Sequence, residues 1–247
     1  AMWHVVDENK GMFKAYFARK AQLLGLTKIG WQDQVAPITA LGDYTPTTLT
    51  YDEAANFIIQ NFGKYSPKMA AFAQHAFENG WIEAENRPGK TPGAWMESVP
   101  DIHESRIIST FSGSVNEAAT LAHEIGHAFH SSVLNDLPVW RDQYAMNVAE
   151  TASTFAEMLI ADANVQNAKS DAEKVALLDA KMSNPIAMFL NIHARFLFED
   201  AFYTERENGF VPATRLNELM TQAQEEAFGG ILDETHPHFW TSKLHFY

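Results

Sequence analysis

LAHEIGHAFH, residues 121 to 130, is the stretch that decides the fold and the chemistry of this sequence. On a helix, His123 and His127 project about 40° from each other, so both imidazoles can reach one metal ion. Glu124 lies beside them, where its carboxylate can take a proton from a water molecule rather than bind the metal. This HExxH arrangement predicts a catalytic metal site.

The segment around the motif has the pattern of a helix. Ser114 and Glu117 have the spacing of a capping box that would begin this helix, and the apolar pattern continues to about Val133. Gly126 is unusual in mid-helix, because glycine there costs up to about 1 kcal/mol relative to alanine. A close approach of a neighbouring backbone would explain it. The alternative interpretation, a pair of packed structural histidines, leaves this glycine without a reason.

Two glutamates follow on the next predicted helix, which covers about residues 144 to 164. The segment NVAETASTFAEML carries Glu150 and Glu157 among apolar residues, about 20° from eclipsed on one face. A catalytic zinc usually has three protein ligands, so one carboxylate could be the third ligand while the other accepts the free N–H of a ligating imidazole. Spacing alone does not say which, and a solvated helix face is an alternative for Glu157.

The rest of the chain also favours helices. RIISTFS, residues 106 to 112, is the only convincing strand, because it is β-branched and aromatic. We therefore expect a mainly α fold with a small β-sheet, in a single domain over residues 1–247. Further helices are predicted over residues 11–25, 50–62, 66–80, 170–209 with a kink near Pro185, and 214–228. Thr50 and Glu53 have the spacing of a capping box at the start of the second of these helices.

Composition excludes several classes of protein. The 247 residues carry a net charge of −13, which opposes nucleic acid and anionic membranes as partners. No apolar run of about twenty residues is present, and cysteine is absent, which excludes disulfides and thiolate metal sites and favours a reducing, cytoplasmic setting. Without a G-x-S-x-G motif or a Gly-rich phosphate loop, serine hydrolase and nucleotide-binding interpretations also fall away.

The motif HEIGHAFH, followed by ETASTFAE, resembles the oligoendopeptidase F branch of the thimet oligopeptidase family of zinc peptidases. The resemblance continues through YFARKAQLLGL, ENGWIEAENRPGKTPGAW, SRIISTFSGS, ARFLFEDAFYTE and HFWTSKLHFY, so it covers essentially the whole chain. It implies a helical zincin-type metallopeptidase catalytic domain with one zinc ion and oligopeptide substrates.

The resemblance also implies roles for individual residues. His123 and His127 match the imidazole ligands of the family, and Glu150 matches its third ligand. Glu124 matches the general base. Glu157 then matches the acidic residue that orients a ligating histidine.

Substrate binding is implied in the same way. Residues 106–112 correspond to the sheet edge along which an extended peptide is held, which makes substrate contacts of Ile108, Ser109 and Thr110. His245 matches a histidine near the scissile bond, where it would polarise the carbonyl oxygen together with zinc. Tyr247 matches the start of a tyrosine-bearing segment that stabilises the tetrahedral intermediate in the family, which implies that it contacts the substrate.

Family members are usually about twice this length, so the resemblance suggests a piece of a longer chain whose remaining N-terminal and C-terminal parts would be its partners. Two alternatives to an endopeptidase stay open. One is a carboxypeptidase of the same family, and the other is a zinc-containing fragment that binds peptides without cutting them.

Overall fold

The computed structural model describes residues 2–38, 47–91, 93–141, 144–243 and 246. Within them, eight α-helices and one three-stranded sheet confirm the expected mainly α fold with a small sheet. None of these helices combines the length and the apolar character that crossing a membrane requires. In chain order the elements are α1 Met2–Leu24, α2 Tyr51–Tyr65, α3 Pro67–Glu78, β1 Ile82–Glu83, β2 Ala94–Val99, β3 Glu104–Ser109, α4 Val115–Leu134, α5 Glu150–Gln166, α6 Asp171–Ile186, α7 Ile192–Arg206 and α8 Ala213–Phe228.

The chain divides into two compact units. The central unit is Thr45–Leu177, and the terminal unit combines Ala1–Tyr44 with Leu178–Tyr247. The sheet and the HExxH motif belong to the central unit. That residues 1–247 act as a single catalytic domain stays a prediction.

Helix starts follow the capping residues. Ser114 Oγ accepts a hydrogen bond from the Glu117 N–H at 3.1 Å, and the Glu117 carboxylate accepts one from the Ser114 N–H at 2.9 Å. Thr50 and Glu53 form the same reciprocal pair at the start of α2. Both predicted capping boxes are confirmed, and each satisfies donors that a helix leaves unpaired in its first turn.

The long helix predicted over residues 170–209 is interrupted after Pro185. The proline lies inside α6, where it cannot donate a backbone hydrogen bond to the preceding turn. A π-helical segment, Ala187–Asn191, follows at once and leads into α7. The predicted kink is therefore a local widening of the helix.

The sheet differs from the prediction in one important respect. Its strand order is β1-β3-β2, with β1 parallel and β2 antiparallel to β3. Ile107 pairs with Met96 on one side, and on the other its N–H donates to the Trp81 carbonyl at 2.8 Å. The prediction that residues 106–112 form the sheet edge is therefore wrong, because β3 is the central strand.

A physical reason accounts for the error. Ile107 of β3 is fully buried, and β-branched residues favour a strand that is paired on both sides. The outer strands have weaker sequence signals: β1 has only two residues, and β2 (AWMESV) follows a Pro- and Gly-rich loop. Sequence patterns therefore identified the buried strand and missed both of its neighbours.

Each unit has its own apolar core. In the terminal unit, Phe13 and Phe17 of α1 pack with Leu190 and Phe228. In the central unit, the largest fully buried side chains come from α2, β3, α4 and α5: Ile58, Phe62, Ile107, Leu121, Ile125 and Ile160. Helix α4 thus has one face in the core, and this burial holds the HExxH motif on a rigid element.

Gly126 explains how closely α4 and α5 approach. A Cβ atom at this position would lie 2.8 Å from the Ala152 carbonyl oxygen, the Ala156 Cβ and the Ser153 Cα. These atoms belong to backbone or to a methyl group, so they cannot swing aside. The expected close backbone approach is confirmed, and only glycine permits it.

We predict that Gly126→Ala destabilises the chain while Gly63→Ala does not. Overpacking at Gly126 should lower the free energy of unfolding by about 1–3 kcal/mol, more than the gain in helix propensity of about 1 kcal/mol. At Gly63, in α2, the nearest atom to a new Cβ is the Ala70 Cβ at 3.6 Å, an ordinary contact. Urea unfolding of both variants checks this, and equal stabilisation of the two would contradict the packing argument.

Candidate metal centre

Helix α4 presents two imidazoles on its outer face. The rings of His123 and His127 lie one turn apart, with centroids separated by 4.9 Å and planes inclined by 79°. Both side chains are mostly buried, with 22% and 15% of their surface exposed. Their Nε2 atoms face the first turn of α5, so the two rings can bind the same metal ion.

Glu150, the first residue of α5, faces both imidazoles. Its Oε2 atom lies 3.1 Å from His123 Nε2 and 3.2 Å from His127 Nε2. The donor atoms of these three residues all fall within 4.8 Å of one another. Zinc bonds of about 2.0–2.2 Å in a tetrahedron separate neighbouring donors by about 3.3 Å, so the spacing fits a zinc ion.

Ser153 holds the Glu150 carboxylate, and sequence reasoning missed it. Its hydroxyl donates to Glu150 Oε2 at 2.7 Å, and the residue is fully buried against Gly126. The signal that could have found it is a hydroxyl residue three positions after the glutamate, where helical side chains meet.

Glu157 contacts the other edge of His123. Its Oε2 atom lies 3.0 Å from His123 Nδ1, and 22% of its side chain is exposed. A carboxylate at Nδ1 favours the tautomer that carries its proton there, which leaves the Nε2 lone pair free for a metal. The structure therefore places the two glutamates at different edges of one imidazole, a distinction that their spacing left open.

Glu124 lies beside the histidines and is 6% exposed. It makes no hydrogen bond or ion pair with the residues that the structure describes. Burial raises the pKa of its carboxyl group, and the nearby charge of Glu150 raises it further, against the opposing effect of His123. An unpaired buried carboxylate of raised pKa is suited to accepting and returning a proton.

The pKa values of the three candidate ligands move in different directions. Burial lowers the pKa of His127, and the pKa of His123 is raised because the hydrogen bond and charge of Glu157 outweigh the opposing effect of burial. Burial raises the pKa of Glu150, but the Ser153 hydroxyl and both imidazoles outweigh it, so its pKa lies below the usual value. Glu150 is therefore held as a carboxylate, the form that binds metal.

The residues predicted to bind substrate are only partly described. His245 and Tyr247 lie outside the described residues. Ser109 is buried at 1% exposure, and its carbonyl accepts a hydrogen bond from Lys90, while the Thr110 N–H donates to the Gly93 carbonyl at 3.2 Å. Substrate contacts of Ile108, Ser109 and Thr110 remain a prediction. The strand that carries Ile108 and Ser109 is the central one, so it does not offer the free sheet edge that was expected.

Comparison with known proteins points to one family. Residues 61–247 match the model of peptidase family M3. An oligoendopeptidase F homolog of Lactococcus lactis subsp. lactis is 25% identical over 235 residues, and the oligopeptidase PepF of Bacillus subtilis is 23% identical over 248. Among solved structures, PZ peptidase A with an inhibitor has a TM-score of 0.69 at 20% identity.

These matches cover nearly all of this chain but only part of each relative. The alignments take in 94% and 98% of this chain, against 37% of the L. lactis protein and 36% of the B. subtilis protein. The PZ peptidase A match covers 93% of this chain and 41% of that structure, and shows a shared fold.

We predict that the chain, stripped with a chelator, binds one zinc ion through His123, His127 and Glu150. Glu150→Ala should abolish tight binding because only two protein ligands remain, whereas Glu157→Ala should weaken binding by about 10- to 100-fold. Competition with a zinc-sensitive dye, together with elemental analysis, measures both effects.

His130→Ala is the matched control for this prediction. The His130 ring packs beside Tyr144 with centroids 4.5 Å apart, outside the cluster of donors, so this variant should keep its zinc. Equal zinc retention in Glu150→Ala and Glu157→Ala, or the reverse order, would contradict the assignment.

Proposed function

The chain belongs to peptidase family M3, and from this premise we propose that its central unit carries the catalytic centre of a zinc-dependent endopeptidase acting on short oligopeptides. One observation carries the proposal. Three donor atoms converge within 4.8 Å of one another, and the neighbouring Glu124 is buried without a hydrogen-bond partner among the described residues. Metal ligands beside an unengaged acid–base group are the requirements of metal-assisted hydrolysis.

His123, His127 and Glu150 would hold the ion. A zinc ion with three protein ligands keeps a fourth position open and supplies Lewis acidity, which activates water and polarises a peptide carbonyl. Glu157, at His123 Nδ1, supports this by favouring the neutral tautomer whose proton lies on Nδ1 and whose Nε2 lone pair can bind the metal.

Glu124 would move the proton. Its carboxylate accepts a proton from the attacking water and then delivers it to the nitrogen of the leaving peptide, so one group serves as base and acid. Burial favours this exchange, since a raised pKa makes the protonated form accessible in the second half of the reaction.

The outer edge of β2 is where we expect the substrate backbone to bind. No described strand lies beyond β2. The Ile107 N–H points away from β2, toward Trp81, so Met96 and Ile107 form a pair that exchanges no hydrogen bonds between β2 and β3. The backbone N–H and C=O of Met96 therefore point away from β3, toward the open side of β2. The N–H and C=O groups of Met96, and of Ser98 two residues on, therefore have no backbone partner among the described residues and can pair with an extended peptide.

Two further residues belong to this proposal. His245 would polarise the scissile carbonyl with the metal, and Tyr247 would contact the substrate. Neither is among the described residues, so both roles rest on the family resemblance alone.

The alternatives differ in what they do to a peptide. A carboxypeptidase of the same family would need a free C-terminus and would spare a blocked peptide. A peptide-binding fragment would hold the peptide without turnover. The chain spans only 37% of its L. lactis relative, so turnover by this chain alone is part of the proposal.

We predict that Glu124→Gln keeps the zinc and loses cleavage. Replacing the carboxylate by an amide removes proton transfer, which typically contributes about 100- to 10,000-fold to the rate, and leaves all three ligands in place. Cleavage of an octapeptide blocked at both ends, followed by mass spectrometry of the products, tests the turnover and distinguishes internal from terminal cleavage.

Zinc content is measured on the same preparation. His130→Ala is again the control. Its zinc content and its cleavage rate should both be close to those of the unmodified chain. If Glu124→Gln released the zinc, the residue would be a ligand rather than a base.

A further inference from the structure

A cavity of about 550 Å³ opens beside β2 in the central unit. Met96, Glu97 and Ser98, three consecutive residues of the strand, all line it. Because alternate residues of a strand point to opposite faces, a cavity that contacts three in a row lies along the strand's edge. The cavity therefore adjoins the backbone groups to which a peptide would pair.

Helix α4 connects this cavity with the candidate metal centre. Ser131 and Leu134 line the cavity, and Ser131 follows His127 by one helical turn on the same face. Four helical residues rise about 6.0 Å along the axis, close to the roughly 6.6 Å spanned by two residues of extended peptide. A side chain near the scissile bond would thus enter the cavity.

Glu97 is the only acidic residue among the described residues that line the cavity. Its side chain is exposed and has no hydrogen bond or ion pair with any described residue. Arg106 stands directly opposite it in the sheet, where oppositely charged residues commonly pair. The Arg106 guanidinium is instead engaged with the Glu104 carboxylate at 2.6 Å and with the Ser105 carbonyl at 2.8 Å.

The remaining lining suits a long aliphatic stem. Met96, Leu134 and Leu137 supply apolar surface, and no lysine or arginine among the described residues lines the cavity. Lysine and arginine side chains bury an apolar stem while their charged ends stay hydrated or paired. An acidic side chain would meet the like charge of Glu97, and the net charge of −13 of the chain would oppose it further.

We propose that this cavity is a subsite for a lysine or arginine side chain of the peptide substrate, with Glu97 as its counter-ion. The inference rests on the proposed function, because it requires a peptide along the edge of β2. In this proposal Glu97 helps to select the substrate, because its carboxylate attracts a positively charged side chain near the bond that is cut.

The test uses blocked octapeptides in which one arginine, norleucine or glutamate is moved through the three positions on each side of the scissile bond. Their kcat/KM values are measured with the zinc-loaded chain, and their Kd values in the Glu124→Gln background by fluorescence anisotropy. We expect one position to prefer arginine over norleucine. Glu97→Gln should reduce that preference by about fivefold, the upper range for a solvent-exposed ion pair, and Glu97→Lys should shift it toward glutamate.

Glu85→Gln is the control, because it removes another exposed carboxylate of the same unit, one that does not line the cavity and lies 3.8 Å from Arg87. Its preference should equal that of the unmodified chain. An arginine preference that is absent, or that survives Glu97→Gln, overturns the subsite. Failure of the unmodified chain to cut any peptide contradicts the proposed function instead, and the Kd series then decides the subsite by itself.

Discussion

The backbone contact between α4 and α5 at Gly126 is the constraint on which the site depends. Because residue 126 has no Cβ, the α5 backbone at Ala152 and Ser153 lies directly against α4. This approach brings both glutamates of α5 within hydrogen-bonding distance of His123. A larger residue would push the helices apart, and a displacement of about 1 Å is enough to spoil a catalytic arrangement.

The closeness of the helices also shapes the electrostatics of the site. Three carboxylates and two imidazoles share a small, partly buried volume. Ser153 and the imidazoles lower the pKa of Glu150, whereas Glu124, which has no such partner, has a raised pKa. Neighbouring glutamates thus differ in proton affinity because their hydrogen-bond partners differ, which is the difference that the proposed roles of Glu150 as a ligand and Glu124 as a base require.

The outer edge of the sheet is formed by β2, and Lys90 fixes the loop that leads from β1 to β2. Its ammonium group is almost buried and donates to the carbonyls of Glu83, Glu85 and Ser109, with the Glu83 carboxylate 2.8 Å away. These bonds tie the Pro- and Gly-rich loop to β1 and β3. After this loop the chain enters β2, the outer strand beside β3, and residues of β2, Glu97 among them, line the cavity.

The sequence by itself determined the helical character of the chain, the capping boxes at Thr50 and Ser114, and the HExxH motif, because these depend on residues within one or two helical turns. It also indicated that Gly126 needs a close neighbour. Only the tertiary structure decided that Glu150 faces Nε2 and Glu157 faces Nδ1, that Ser153 holds Glu150, and that β2 rather than β3 forms the sheet edge. These features depend on the separation and rotation of α4 and α5 and on strand order, which arise from contacts between segments distant in the chain and leave no periodic pattern in the sequence.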